Sequence, residues 1–516
     1  MTDVPESTVT EVDVAVVGAG NAGLAAALAA AETGASVVVL EAAPKERYGS
    51  DSYFSGGLFR VSYEGFEDLE DIVGRLEFPA DSGYENYSRY SDGDFLEDWG
   101  RVTGYRCDPE LASMIVGQSR DALAWLAGKG VAFDSPVVVD SHGKARHSRA
   151  GWHGGFVEAA GAGPGLTESL IAAVEKAGTP IHYGMHCKEL KPLEGPGTGW
   201  EVRCQGRSGA RTSLSVGAVV LASGGFQSDV EWRTRCLGPG WDLAKVRGSG
   251  YNTGDGLKAA FAVGAVPFGN WSGCHAVAWS VGSGDAGRRD ANHLFERESY
   301  PFGITVNVQG LRFVDEGSDF GAYTYAKYGR EILAQANQTA WQLFDSQAED
   351  LLTSEYRVKN PEAARTVADT LPELARRLGQ RGVDAKQMLA TVEEYNAAVV
   401  GDRSFDPYVK DGRRTTGLAI DKTNWARGLI EPPFSAYEVT CGITFTFGGL
   451  RIDTGAAVLD QGGEPIPGVY ACGEIVGGLH YFNYASGTGL TSGTVLGRIA
   501  GRGAGGGPRT RDGHDR

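Results

Sequence analysis

The chain is short of what several large function classes require. Positive charge is the first shortage: 48 Lys and Arg stand against 65 Asp and Glu in 516 residues, for a net charge of −17. That argues against a nucleic-acid binder, which shows a basic face, and against docking on anionic lipid. The seven cysteines are scattered with no C-x-x-C pair. They read as reduced thiols of a cytoplasmic protein, not as a disulfide frame or a zinc site. No apolar run reaches membrane length, and the N-terminal stretch MTDVPESTVTEVD carries acids where a signal peptide carries Lys or Arg. Glycine, by contrast, is plentiful, with 76 residues and no repeat period. It marks turns and places where backbone approaches a ligand closely. The length predicts two or three domains.

The stretch from Val12 to Glu41 carries the strongest local signal. Val12–Val17 is an apolar β-branched run and predicts a buried strand. Gly18, Gly20 and Gly23 then form G-x-G-x-x-G around Asn21 and Ala22, an Ala-rich helix follows to Glu32, and Val37–Leu40 is a second strand ending in Glu41. This is the chemistry of a dinucleotide site. Gly18 allows the turn, Gly20 lets backbone meet a pyrophosphate, and Gly23 lets helix pack on strand. Glu41 can accept from ribose hydroxyls. Three later segments repeat the strand-then-glycine pattern or its polar loop. Lys45–Arg60 holds Ser50, Ser52, Gly56 and Gly57. AVVLASGGF ends in Ser223 and a glycine pair beginning at Gly224. GVYACGE ends in Gly473 and Glu474. Contacts from segments some 450 residues apart suit a large two-nucleotide cofactor.

In order along the chain, VVGAGNAGLAAA, SGGLFR, LASGGF, GSGYNTGDGLKAA with Asp255, GLRFVDE, GGLRIDT and GVYACGE…GLTSGTVLGRIAG resemble the flavoproteins of fumarate reductase and succinate dehydrogenase. The family includes 3-ketosteroid Δ1-dehydrogenases and tricarballylate dehydrogenase-like proteins, and the wording is similar to that branch. The resemblance implies an α/β fold: a Rossmann-type FAD-binding domain from residues 1–270 and 436–516, with an inserted α+β cap at 271–435. Relatives with covalent flavin carry a His in the loop after the first βαβ unit. Lys45–Arg60 has none, so FAD is expected to be noncovalent. The helix expected after Gly487, through Thr488, Gly489 and Leu490, implies free N–H donors at the flavin's pyrimidine side.

At the substrate end the family's cations are replaced. Phe320 and Tyr484 stand where fumarate reductases place arginines, and Phe445 and Phe447 fill the segment of a substrate-binding histidine. Neither Tyr nor Phe can clamp a carboxylate bidentately. The resemblance therefore implies a small, apolar or carbonyl-bearing substrate and an unidentified electron acceptor. His275, Tyr325 and Tyr484 are the candidates for proton transfer and polarisation, with His480 at the flavin edge. Phe482 reads as core. If extended, Tyr323 and Tyr325 share a face, and Lys327 or Arg330 would lower the pKa of one phenol.

His142, His147 and His153 fit no zinc spacing and read as a solvated or substrate-gating loop, so no metal is expected. Adjacent Asp315 and Glu316, placed on a strand, would point to opposite faces and make a poor acid/base pair. Asn360–Val400 predicts two or three amphipathic cap helices, and residues 503–516 a disordered tail. The functional expectation is dehydrogenation of a C–C bond α,β to a carbonyl or carboxyl group. Two alternatives are reduction of an activated C=C bond and flavin binding without catalysis.

Overall fold

The computed structural model describes residues 7–507 except 76–78, 80–81, 84–88, 136, 140–143, 148–149, 151, 196–198, 207, 285, 287–292, 354–355 and 357–364. The β-branched run after the N-terminus becomes the strand Ser7–Val17, buried along Asp13–Val17. It lies parallel to Val37–Glu41 on one side and to Arg211–Leu221 on the other. Pro465–Ala471 extends this sheet parallel to Arg211–Leu221, so the two ends of the chain meet in one layer. Ile181–Tyr183 closes the opposite edge, and Met185–Pro192 and Trp200–Gly206 fold back as an antiparallel arm.

Two helices cross this sheet, Asn21–Glu32 and Thr488–Gly505. Glycine at every fourth position of the second helix lets their backbones touch. A side-chain Cβ at Gly497 would lie 2.5 Å from the Ala22 carbonyl oxygen, and one at Gly501 would lie 2.2 Å from that of Ala26. The alanines of the first helix complete this contact, which brings both helix N-termini to one place. The second helix runs on to Gly505, so the tail expected from residue 503 begins with helical residues. Residues 508–516 lie outside the described residues.

A second, mostly antiparallel sheet is organised around one 17-residue strand, Phe434–Leu450. Pro267–Ser280, Thr339–Phe344 and Arg365–Ala368 pair antiparallel with it, and Lys245–Val246 pairs parallel. Both expected boundary positions, 270/271 and 435/436, lie inside continuous strands of this sheet. Helices Leu371–Gly379 and Ala385–Ala398 pack on it through Leu374, Leu378, Met388 and Val392. Each starts with a side-chain cap, from Thr370 and Asp384 respectively. Among the described residues no helix is long and apolar enough to cross a membrane.

Candidate active site

The glycine-rich turn joins the first strand to the first helix. Gly18 has φ +109°, and a Cβ there would lie 2.4 Å from the Ala222 oxygen; one at Gly23 would lie 2.0 Å from the Gly18 oxygen. These two glycines serve the packing of turn on strand. Gly20 faces the side chains of Ser50 and Ser52, and a Cβ there would lie 3.3 Å from Ser50 Cβ. The first helix starts there without a side-chain cap, and the Asn21 N–H donates to Ser52 Oγ at 2.9 Å. Asn21 Nδ2 donates to the Leu490 carbonyl at 2.9 Å, tying the start of the first helix to that of the last. Glu41 is buried and accepts from the Ala19 and Ala43 N–H groups, 2.7 Å each; burial pushes its pKa up.

A cleft open to solvent runs from this turn between the two sheets. Gly20, Asn21, Ala22, Ser50, Ser52, Gly56, Gly224, Gly473, Glu474, Gly489 and Leu490 line it, with His275, Tyr325, His480 and Tyr484 at the far end. Gly18, Gly23, Glu41, Gly57, Ser223 and Thr488 are outside the lining. Gly57 packs on Ala162, Ser223 on Gly256, and the Thr488 hydroxyl donates to the Ala485 carbonyl at 2.7 Å. Asp255 is also outside it, held by Lys188 and near His186; burial opposes ionisation there, but bonds from both partners bring its pKa down to about 2.

The far end is an aromatic box made by distant segments. His275 on Pro267–Ser280 pairs with Phe445 on Phe434–Leu450, and a register irregularity follows His275. Such irregularities re-aim side chains. The His275 ring is 4.9 Å from each of Phe445, Tyr325 and Tyr484, and His480 is 5.0 Å from Tyr484. Burial keeps both imidazoles neutral: His275 lies well below the usual histidine range, and His480 is lowered to about 3. The Nδ1 atoms of both are buried without a hydrogen-bond partner in the structure. The Tyr484 hydroxyl accepts from the Gly489 N–H at 2.9 Å. This places a phenol against the positive end of the last helix.

Several expectations change on folding. Tyr323 and Tyr325 do not share an extended face. Gly321–Tyr323 is a helical turn and Tyr325 begins the helix Tyr325–Leu333, so the two rings diverge. Tyr323 turns to Asp98 and Arg60, whereas Tyr325 reaches Ser486 Oγ at 3.4 Å. Burial is the largest influence on Tyr325 and raises its pKa well above the ordinary phenol value. Lys327 lies over Tyr328, and Arg330 over Trp241. Phe482 is not core but 53% exposed, in a left-handed conformation beside Tyr481. Asp315 and Glu316 lie in a turn rather than a strand. Asp315 accepts from Thr423 Oγ1 at 2.9 Å, and Glu316 pairs with Arg312 in the interior. His142 and the side chain of His147 lie outside the described residues; His153 stacks on Phe320 at 5.2 Å and is not among the residues lining the cleft. Among the described residues no cluster of metal-binding side chains occurs.

Apart from Glu474, sequence reading missed the charged lining. Arg247, 5% exposed, donates to Thr444 Oγ1 and the Phe54 carbonyl at 3.1 Å each and pairs with Glu296. Glu296, Glu298 and Asp51 line the cleft with it. Asp51 and Glu474 are half-buried and both accept from Gln227 Nε2 and Asn252 Nδ2. The available signals were slight: an acid between two serines in GSDS, and charges embedded among aromatics in LFERESYPF.

FAD fits this chemistry. Two helix starts whose N-cap residues are glycines without side-chain caps open on the cleft and suit a diphosphate, and the buried histidine nitrogens without partners mark a cavity shaped for a polar ligand. The comparisons agree. The family model described as FAD binding domain matches residues 13–490. A probable fumarate reductase, Ifc3, of Shewanella frigidimarina is 28% identical over 95% of this chain and 74% of its own. The 4-oxocyclohexanecarboxylate 2-dehydrogenase of Sinomonas cyclohexanicum is 30% identical over 95% and 92%. The open conformation of a flavocytochrome c3 fumarate reductase superposes with a TM-score of 0.73, at 26% identity over 97% of this chain and 79% of that one. The chain thus belongs to the FAD-binding family of fumarate reductases and related dehydrogenases, and is an FAD-dependent oxidoreductase acting on CH–CH groups.

Proposed function

We propose that the chain desaturates a C–C bond α,β to a ketone or carboxyl carbonyl, with FAD bound noncovalently. One observation carries the reading: the Tyr484 hydroxyl is fixed by the Gly489 N–H at 2.9 Å, inside a box of His275, Tyr325 and Phe445. A phenol that accepts from a helix N-terminus becomes a better donor, and its own proton is free for a substrate carbonyl. That hydrogen bond strengthens as negative charge develops on the oxygen, which is where catalysis gains. His275 is neutral and can take the acidified α-proton, though burial makes it a weaker base than free imidazole until substrate and its charge are in place. Tyr325 holds its proton and, through Ser486, frames the box. FAD, when bound, accepts the β-hydrogen as hydride. Phe445 and Phe447 exclude water and favour an apolar ring or chain, and a cyclic ketone of the kind that the Sinomonas relative's name describes suits such a box.

A second reading, reduction of an activated alkene, is favoured by Arg247, which puts a cation into the lining where the sequence had shown none. Anaerobic mixing of the yellow protein with a panel of cyclic ketones, keto acids, succinate and fumarate separates them. Bleaching by saturated ketones, with succinate inert, supports desaturation. Reoxidation of dithionite-reduced flavin by fumarate faster than by enones would overturn it. Flavin that stays on the acid-precipitated chain would reject noncovalent binding.

A further inference from the structure

Between the glycine turn and the aromatic box lies a group that neither task uses. Asp51 comes from the short helix Ser50–Phe54, and Glu474 from the turn after Pro465–Ala471. Asp51 Oδ2 accepts from Gln227 Nε2 at 2.5 Å and Asn252 Nδ2 at 2.9 Å. Glu474 Oε2 accepts from the same two nitrogens at 3.3 Å each. Asp51 Oδ1 takes the Ser249 N–H, and Glu474 Oε1 takes that of Thr446. Gln227 is 0% exposed, and its Oε1 has no hydrogen-bond partner in the structure. Two carboxylates thus share one pair of amides in the wall of the cleft. Asp51 also stands between Ser50 and Ser52, which face Gly20, the position where the fingerprint places a pyrophosphate.

We propose that Asp51 and Glu474 form one carboxyl pair of the FAD site that holds a single proton when the cofactor's diphosphate is bound, so that FAD is retained at neutral and lower pH and released as pH rises. Two like charges sharing donors in a half-buried cleft wall cannot both ionise cheaply, and a diphosphate nearby adds a third source of repulsion. Arg247 is the charged group facing Asp51, and it is already paired with Glu296. The other groups packed on the pair, from Gly225, Gln227, Ser249, Asn252 and Thr446, are uncharged. Burial pushes both carboxyls up, and the Asp51 charge pushes Glu474 up further, so the pair keeps a proton to higher pH than a free carboxyl does. The proton that leaves goes to solvent through the open cleft.

The test dilutes the holoenzyme into buffers from pH 6 to 9 and follows the rise of free-flavin fluorescence, with far-ultraviolet circular dichroism to show that the fold persists. The release rate is expected to rise by up to about tenfold per pH unit above neutrality, the slope of one linked proton. Asp51→Asn and Glu474→Gln each remove one charge and should flatten the profile. A wild-type profile flat from pH 6 to 9, or Asp51→Asn with the wild-type slope, overturns the proposal. The idea rests on noncovalent FAD, so a second readout is taken on the loaded protein: a protonated-carboxyl infrared band present at pH 6, lost by pH 9 and missing in Asp51→Asn. Its absence from the wild type overturns the pair whether or not the flavin can leave.

Discussion

At one end of the cleft the groups facing the cavity are largely backbone and small side chains from four short segments, each signalled by glycine. At the other end they are large rings and charges: His275 from one strand, Phe445 from another, Tyr325 from a helix, and His480 and Tyr484 from the loop before the last helix. The difference follows from what each end must recognise. A diphosphate is the same whatever the substrate, and backbone N–H groups at helix starts bind it without side-chain choice. A substrate is distinguished by the shape and polarity of side chains, and these can be exchanged on a constant frame.

The sharpest way to break this comparison is to remove one atom from the aromatic end. Tyr484→Phe keeps the ring against His275 and Phe445, so FAD content should equal wild type. The hydroxyl between Gly489 and the substrate is lost, and flavin reduction in a single turnover should slow by about 10²–10³-fold. A rate within a few-fold of wild type would make Tyr484 a wall of the pocket.

The glycine end is tested by adding an atom. Gly501→Ala puts a Cβ 2.2 Å from the Ala26 carbonyl, and overpacking of this kind costs about 1–3 kcal/mol. Thermal unfolding should fall measurably, and FAD release should speed up as the two helix starts part. Gly117→Ala, also in a helix but with nothing within 4 Å, should instead gain about 0.4–1 kcal/mol. Equal effects at the two sites would contradict the close-packing account.

The two neutral histidines predict a pH effect at the aromatic end. Their folded pKa values lie below the unfolded one, so the unfolded chain binds protons first as pH falls. Stability is full above about pH 6.5 and is lost below it, by up to about 1.4 kcal/mol per pH unit for each histidine until the folded group titrates. Denaturant midpoints at pH 6.5, 5.5 and 4.5 should show this, and His480→Asn should reduce the slope. An unchanged slope would mean that His480 is protonated in the fold. The smallest effect is expected at Phe482, which lies on the surface despite its place among active-site aromatics. Phe482→Asn should leave turnover within about twofold, as for other surface changes worth less than about 0.5 kcal/mol.

The sequence by itself determined the glycine end. Gly18, Gly20 and Gly23, the β-branched strand before them and Glu41 after them are local rules of backbone conformation, readable within thirty residues. The glycines of the last helix likewise announced a helix start, though not that Gly497 and Gly501 exist to meet Ala22 and Ala26. Only the tertiary structure decided the rest. Tyr325 became a buried neutral phenol because the chain turned helical at that residue and left Lys327 and Arg330 outside the box. Phe482 went to solvent because a left-handed residue turned the loop between His480 and Tyr484. Arg247, Asp51 and Glu474 took their partners from positions up to 247 residues away, and a carboxylate's charge state depends on burial and on those partners. Local spacing encodes backbone geometry, whereas electrostatics belongs to whatever the fold brings within a few ångströms.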